Sequence, residues 1–390
     1  MHDLIAVGAG EVFEKYWLPA IQKSEKVRLI GLVESRGLRL MHLAKIIPQS
    51  PESLFGVTST ERIPVDTTKS AIILVLTPDH YEVVKQVAEM GFKNIVVEKP
   101  LVSRDHELPL ILELAKERNL KLYAVDMYLP KAFPLAAVLG AVSSDDPRLA
   151  FLNFAGNNLA PISAYLGDIE GVSVSVIEGG DHGLPSLDRR QWLEKDPEVG
   201  GMLRDLGTHA FGPLVNARLL GSDAEVCSAT LAKFTSDRSG LIPVATKKDV
   251  EMYVSTQLAH GGIPIHVALG KLPQKGGEWS LAVRGSKGIF FSSLRSGQPG
   301  VVLADNGTVI PIQLVVSPLE FVLEEICMFY GGVLEGLDDL LPLSPEERDE
   351  LESFFQETDD DSSVFDGNMH AITTALRINE KIRNAYFSSL

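Results

Sequence analysis

The chain has 390 residues, 45% of them hydrophobic and 23% charged, which is enough for a large core without metal or disulfide staples. Its 36 basic and 52 acidic side chains give a formal charge of −16 at pH 7. That balance argues against sequence-independent nucleic-acid binding, which sets Lys and Arg against phosphate, and against docking on an anionic membrane surface.

In chain order, Met1-His2-Asp3-Leu4-Ile5-Ala6-Val7 carries no basic region and enters a strand-like run at once, so no secretory signal is expected. Strands are predicted at 4–7, 27–33, 71–76, 94–97 and 120–125. Between them, segments such as 79–90 and 105–118 carry apolar residues at three- and four-residue spacing, the mark of helices. Short apolar runs alternating with helices predict an α/β domain with a doubly wound parallel sheet over residues 1–128. Ile72-Ile73-Leu74-Val75-Leu76 reads as a strand buried on both faces.

Gly8-Ala9-Gly10-Glu11-Val12-Phe13 joins the first strand to a helical segment. In a dinucleotide fold the first glycine makes the tight turn and the second lets backbone N–H groups approach a pyrophosphate. The helix N-terminus then favours the negative charge. Gly8, Gly10, Glu11 and Val12 are therefore expected to hold a dinucleotide. Phe13 stands where the third glycine of the fingerprint would be, and Pro19 interrupts the helix that follows. Glu34 lies 26 positions after Gly8 at the end of the second strand, where it is placed for a ribose 2′-OH. Arg36, two residues on, offers a partner for a 2′-phosphate. NAD is expected, with NADP as the alternative.

The stretch 128–134 contains Pro130 and Pro134 and is expected to mark the boundary to a second domain, 129–390. There, strand-like stretches at 250–259, 263–269, 279–283, 288–291, 301–303 and 309–314 follow one another with only turns between, two of them at Gly261-Gly262 and Gly276-Gly277. They predict a large, mainly antiparallel sheet, accompanied by helices at about 202–219, 318–334 and 367–387. The segment 157–192 holds Asn157, Asn158, Asp181, His182, Arg189 and Arg190. It reads either as a binder of a hydroxylated or anionic substrate, through Asn157 and Arg189 among others, or as a solvated insertion. The nine histidines are dispersed without zinc-ligand spacing, so no metal is expected. A Gly-x-Ser-x-Gly elbow and a Walker-type loop are both absent.

The charge is local. Residues 338–361 carry 11 acids against the single Arg348, leaving −6 for the rest of the chain, so the total does not exclude an anionic cofactor or substrate. Cys227 and Cys327 sit in apolar stretches without a CxxC partner and are expected to be buried free thiols in a reducing compartment. No run of 18 apolar residues signals a membrane span, and a cytoplasmic location is expected.

Four motifs then occur in order: Gly8-Ala9-Gly10 leading to Tyr16-Trp17-Leu18-Pro19-Ala20; Thr77-Pro78-Asp79-His80; Glu98-Lys99-Pro100; and Gly200-Gly201-Met202-Leu203-Arg204-Asp205-Leu206-Gly207-Thr208-His209. This ordered set resembles the glucose–fructose oxidoreductase / inositol dehydrogenase (Gfo/Idh/MocA) family. The resemblance implies a Rossmann domain, a C-terminal α/β domain on a large antiparallel sheet, and an active site in the cleft between them. It implies hydride transfer between nicotinamide and a secondary alcohol or ketone of a sugar, cyclitol or related compound. It also implies a homodimer or homotetramer packed through the C-terminal sheets.

The resemblance carries catalytic roles onto Lys99, Asp205 and His209, and nucleotide contacts onto Thr77, Pro78, His80, Glu98 and Lys99. The residues themselves fit. Lys99 ends a parallel strand, on the side where ligands bind, and Asp205 and His209 share a helix face. His209 is read as acid/base, Asp205 as orienting it or binding a substrate hydroxyl, and Lys99 as polarising the reacting oxygen. The sharing of acid/base work between Lys99 and His209 stays open. His80 is read as a cofactor contact or a packing residue, and Tyr128 as a substrate contact or core. A reading from another class is a non-catalytic, cofactor-sensing regulator of the same fold. A third keeps its cofactor bound and recycles it with two sugars.

Overall fold

In the computed structural model, which describes residues 2–47, 55–57, 70–144, 146–154, 164–273, 276–294, 300–331 and 367–390, the chain divides into two units. The acidic stretch 338–361 and the residues Asn157 and Asn158 lie outside the described residues. No helix among the described residues is long and apolar enough to cross a membrane.

The first unit is built on β1 (His2–Val7), β2 (Val27–Val33), β3 (Phe55–Val57), β4 (Ser70–Ile73), β5 (Asn94–Glu98) and β6 (Lys121–Val125). They form one sheet in the order β3-β2-β1-β4-β5-β6, and every pairing is parallel. Ala71, Ile72, Ile73, Ile95, Val96 and Val97 are fully shielded, which is why these strands read as unbroken apolar runs. The crossovers include α1 (Leu18–Lys23), α2 (Gly37–Ile46), α3 (His80–Glu89) and α4 (Glu107–Arg118). α3 buries His80, Val84, Val87 and Ala88, a stripe at helical spacing laid against β4 and β5. Strand order reverses between β1 and β4, so the carboxyl ends of those strands form the switch point where ligands bind in such sheets.

This unit also takes residues 319–331 and 367–369 from far along the chain. In it the buried Glu325 carboxylate accepts from the Tyr123 hydroxyl (2.8 Å) and from Asn368 Nδ2 (3.2 Å). Ser317-Pro318 stands just before that return, and Pro318 opens its helix.

The second unit comprises Ser103–Asp105, Asp126–Pro318 and His370–Leu390. It opens with α5 (Tyr128–Val138). The stretch 128–134 is thus helix rather than linker. Pro130 sits in the first turn, where no intrahelical N–H is required, and Pro134 is carried inside the helix.

The sheet of this unit contains β7 (Leu152–Phe154), β8 (Ile169–Glu178), β9 (Glu225–Phe234), β10 (Leu241–Pro243), β11 (Tyr253–His260), β12 (Ile263–Lys271), β13 (Glu278–Gly285), β14 (Gly288–Ser292), β15 (Gly300–Ala304) and β16 (Val309–Leu314). Its order is β10-β9-β11-β12-β8-β13-β14-β15-β16-β7, antiparallel except where β8 runs parallel to β12. β8 lies inside the segment that admitted a solvated insertion, yet it is a central strand. Val172, Val174 and Val176 alternate with serines and are buried on one face.

Gly261 (φ +57°) and Gly262 (φ +81°) make the two-residue hairpin between β11 and β12, a turn that needs positive φ at both positions. Gly276-Gly277 is not a hairpin, because β8 separates β12 from β13 in the sheet. α6 (Met202–Asn216) lies against β8, β11, β12 and α5, and its residues Met202 to Val215 are all buried. Burial on every side explains its apolar composition.

One expectation fails at Cys227, which is exposed on β9, while Cys327 is half-buried on the helix Pro318–Gly331. Burial, aided by Glu324, pushes the Cys327 thiol up to about 11. At pH 8, Ellman's reagent should therefore modify one thiol per native chain rapidly, and Cys227→Ser should abolish that reaction. Two fast thiols in the wild type would contradict this assignment.

Candidate active site

β1 delivers Gly8 to the end of β4. The Gly8 N–H donates to the Val33 carbonyl (2.9 Å), and the Leu74 N–H donates to the Val7 carbonyl (2.8 Å). Gly8 has φ +90°, and a Cβ there would lie 2.7 Å from Leu74 C and Val75 N. Only glycine fits. Gly10 is the reverse: a Cβ would meet nothing within 4 Å, so the space beside it is open.

Helix begins at Glu11, and the first N–H groups of any helix lack intrahelical acceptors. The turn thus pairs one glycine forced by close approach with one facing free space, which fits a dinucleotide pyrophosphate. Phe13 is wholly buried where the third glycine would be. The chain takes a π-helical turn, Phe13–Trp17, just before Pro19, which has no N–H for the α-helical ladder.

Glu34 is 4% exposed at the end of β2, and its carboxylate is fully used. Oε1 accepts from the Arg36 N–H (3.0 Å) and Arg36 Nε (2.8 Å). Oε2 accepts from Arg36 Nη2 (2.9 Å) and the Ala9 N–H (3.2 Å). The Arg36 guanidinium brings the carboxyl down to about 2, so Glu34 is charged at any physiological pH. Arg39, which the sequence reading did not single out, clamps the turn from outside. It donates to the carbonyls of Ala9 (2.8 Å) and Gly10 (3.1 Å) and pairs with Glu14.

Beyond β4, Thr77–Asp79 forms one 3₁₀ turn, with Thr77 and Pro78 half-buried, leading into α3. The His80 ring is buried between two carbonyls, Nδ1 at 2.8 Å from Pro100 O and Nε2 at 3.2 Å from Val75 O. Both ring nitrogens face backbone carbonyls, of which a neutral imidazole can donate to one, and this placement fits the packing reading of His80. Burial lowers its pKa. Half-buried Lys99 is held by its backbone, its N–H placed 2.9 Å from Val125 O and 2.8 Å from Glu98 Oε2. This ties the Glu-Lys-Pro motif to the end of β6.

In the second unit Asp205 and His209 lie one turn apart on α6, both buried. His209 Nδ1 lies 2.8 and 2.7 Å from the two oxygens of Asp126, whose side chain is wholly shielded. Asp126 also accepts from the Tyr128 N–H (2.9 Å). Asp126, 83 positions away in sequence, therefore orients the imidazole, and that part of the reading of Asp205 is corrected. Asp205 turns instead to Lys271 Nζ (3.1 Å) and Arg190 Nη1 (3.7 Å). Lys271 also pairs with Glu178, which stands beside it in the parallel register of β12 and β8. Of the two adjacent arginines, Arg190 makes this contact while Arg189 is exposed.

Tyr128 closes the group. Its ring meets His209 edge-on (4.3 Å, 62°) and stacks on Trp279 of β13 (4.4 Å, 21°). No group of three metal ligands occurs among the described residues. With the Asp126 carboxylate as acceptor, an imidazole carrying a single proton holds it on Nδ1. Lys99 belongs to the first unit, and Asp126, Asp205 and His209 to the second.

Residues 4–126 match the family model for Gfo/Idh/MocA, an oxidoreductase family with an NAD-binding Rossmann fold. No curated protein matches the chain. Among solved structures, KijD10, a 3-ketoreductase from Actinomadura kijaniata in complex with NADP and TDP-benzene, aligns with TM-score 0.67 and 15% identity over 98% of this chain and 97% of that one. The super-repressor mutant of Gal80p from Saccharomyces cerevisiae aligns with TM-score 0.69 and 15% identity over 100% of this chain and 96% of that one. At these identities the likeness is one of fold.

The two glycines separate stability from binding. Gly8→Ala should destabilise the protein by at least ~1–3 kcal/mol, from positive φ alone. Gly10→Ala should leave the melting temperature unchanged while weakening NADH binding about tenfold or more by fluorescence titration. Wild-type NADH affinity in Gly10→Ala would remove the pyrophosphate from that position.

Proposed function

We propose, from the place of residues 4–126 in the Gfo/Idh/MocA oxidoreductase family, that the chain is an NAD(P)-dependent dehydrogenase or reductase. Its substrate is a secondary alcohol or ketone of a sugar, cyclitol or sugar derivative. The observation that carries this reading is the shielded Asp126–His209 dyad, in which both carboxylate oxygens face Nδ1 of the ring.

The bound nicotinamide accepts or supplies the hydride. In the oxidising direction His209 Nε2 takes the substrate hydroxyl proton, and in the reducing direction it returns that proton to the carbonyl oxygen. Asp126 fixes the tautomer and stabilises the imidazolium once the proton has arrived. Lys99 donates to the reacting oxygen and stabilises the negative charge that builds there. Asp205, held by Lys271 and Arg190, accepts from a neighbouring substrate hydroxyl. Thr77, Pro78 and Glu98 flank the nucleotide. Exposed Ile242, Phe291, Leu303 and Val309 on the second sheet support assembly with further copies of the chain, and the two free cysteines suit a reducing, cytoplasmic setting.

The likeness to Gal80p favours a second reading, a cofactor-sensing regulator. A sensor has no chemical need for a base oriented by a buried carboxylate, which weighs against it.

The test begins with NADH and NADPH binding, followed by turnover on a panel of sugars, cyclitols and their oxidised forms. Lys99→Met and His209→Asn should each lower kcat by roughly 10²–10⁴-fold with nucleotide affinity retained. Asp126→Asn should lower kcat and also move the pH–rate profile, which a purely structural residue would not do. Binding of neither nucleotide would end the enzyme reading, and full turnover in Lys99→Met would end the role given to Lys99. Nucleotide binding that alters a protein association, with no turnover on the whole panel, would establish the sensor.

A further inference from the structure

Lys131 has no part in the dyad or the nucleotide turn. It follows Tyr128 by three positions on α5, so the two side chains share a helix face. Its ammonium stands 4.0 Å from the centroid of the Tyr128 ring, the same ring that meets His209 and stacks on Trp279.

Most lysines extend their ammonium into water, whereas this one is half-buried. Among the described residues it makes no ion pair and no hydrogen bond. The other cations of the group differ: Lys271 has Glu178 and Asp205, and Arg190 has Asp205. The acid that acts on Lys131 is Asp126, already committed to His209 and to the Tyr128 N–H. Burial draws the Lys131 amine down to about 8, with Asp126 opposing. An aromatic face repays only part of the cost of drying a cation, and a counter-charge would repay more.

We propose that Lys131, standing on the Tyr128–Trp279 aromatic wall, is the subsite for an anionic substituent, carboxylate or phosphate, of the substrate whose hydroxyl is served by His209. This rests on the hydride-transfer reading and names its substrate class: a sugar acid or sugar phosphate rather than a neutral sugar. The ring edges of Tyr128 and Trp279 offer an apolar rim beside the sugar, while the ammonium takes the charge. A neutral sugar would leave the dried cation uncompensated, so the site discriminates against it as well as favouring the anion.

The experiment is calorimetric titration of the full chain, loaded with NAD(P), with D-glucose, D-glucuronate and glucose 6-phosphate. The wild type should bind at least one anion about tenfold or more tightly than glucose, glucuronate reporting a carboxylate site and glucose 6-phosphate a phosphate site. Lys131→Met should bring that affinity ratio close to one, and Lys131→Arg, which keeps the charge, should retain most of it. NMR titration of the Lys131 amine should show its pKa rising when the preferred anion is bound.

Absence of anion preference in the wild type, no binding of either anion, or a preference that survives Lys131→Met overturns the proposal. The two readings fail separately. Lys131-dependent anion binding without nicotinamide-linked turnover would overturn hydride transfer and leave the subsite standing. Turnover with equal kcat/KM on glucose and both anions would do the reverse.

Discussion

Burying the Asp126 carboxylate constrains everything around His209. A shielded carboxylate must find donors, and Asp126 finds the Tyr128 N–H of its own chain turn and the His209 ring of α6. The first contact fixes where α5 begins and the second fixes how α6 lies against it. Together they set the Tyr128 ring on the imidazole, which brings Trp279 and Lys131 to the same wall. One charge placed at the end of a strand therefore organises two helices and orients the imidazole between them.

The neighbouring charges obey the same rule on a larger scale. Asp205 and Glu178 are anions in poorly hydrated positions, and Lys271, almost wholly buried, lies between them because β8 and β12 run parallel and in register at their ends. Arg190 adds a second, partly exposed cation to Asp205. Removing one partner from a buried set of this kind generally costs about 3–5 kcal/mol, because the remaining charge is stranded. Asp205 is thereby aimed by two elements distant from α6 in sequence. A carboxylate in that state can accept a hydroxyl hydrogen bond without moving.

How much of this was legible follows from the range of each interaction. Unbroken apolar runs marked β1, β2, β4, β5 and β6 because burial on both faces is a local property of the sequence, whereas the three-residue β3 leaves too short a trace. β8 alternates Val and Ser as a one-faced strand should, but its flanking Asn, Asp and Arg residues drew attention to polarity instead. Pro130 and Pro134 read as punctuation, yet a proline in a first helical turn costs nothing, and context outweighed the second. The spacing of Asp205 and His209 correctly put both on one helix face. It could not say which carboxylate reaches the imidazole, since Asp126 comes from another element. Cys227 lies in an apolar stretch, and which face of β9 it occupies depends on sheet pairing that the stretch itself does not encode.

At the nucleotide turn the Glu34–Arg36 pair has one anchored member and one movable member. The Ala9 N–H ties the carboxylate to the glycine turn, so its negative charge stays where the proposed dinucleotide would set its adenosine ribose. Arg36 is largely exposed, and an ion pair with one end in water is worth only about 0–1 kcal/mol. Exchanging an Arg36 bond for a ribose hydroxyl therefore costs little, and so does swinging the guanidinium outward to meet a 2′-phosphate. In the second case the phosphate must still approach a carboxylate that is ionised at every physiological pH, a repulsion that the ribose hydroxyl does not meet. Arg36 can neutralise one of those two anions at a time. The balance between the two nucleotides at this turn is thus set by how far a single flexible side chain can serve both charges, and not by the glycines, which treat the pyrophosphate of either alike.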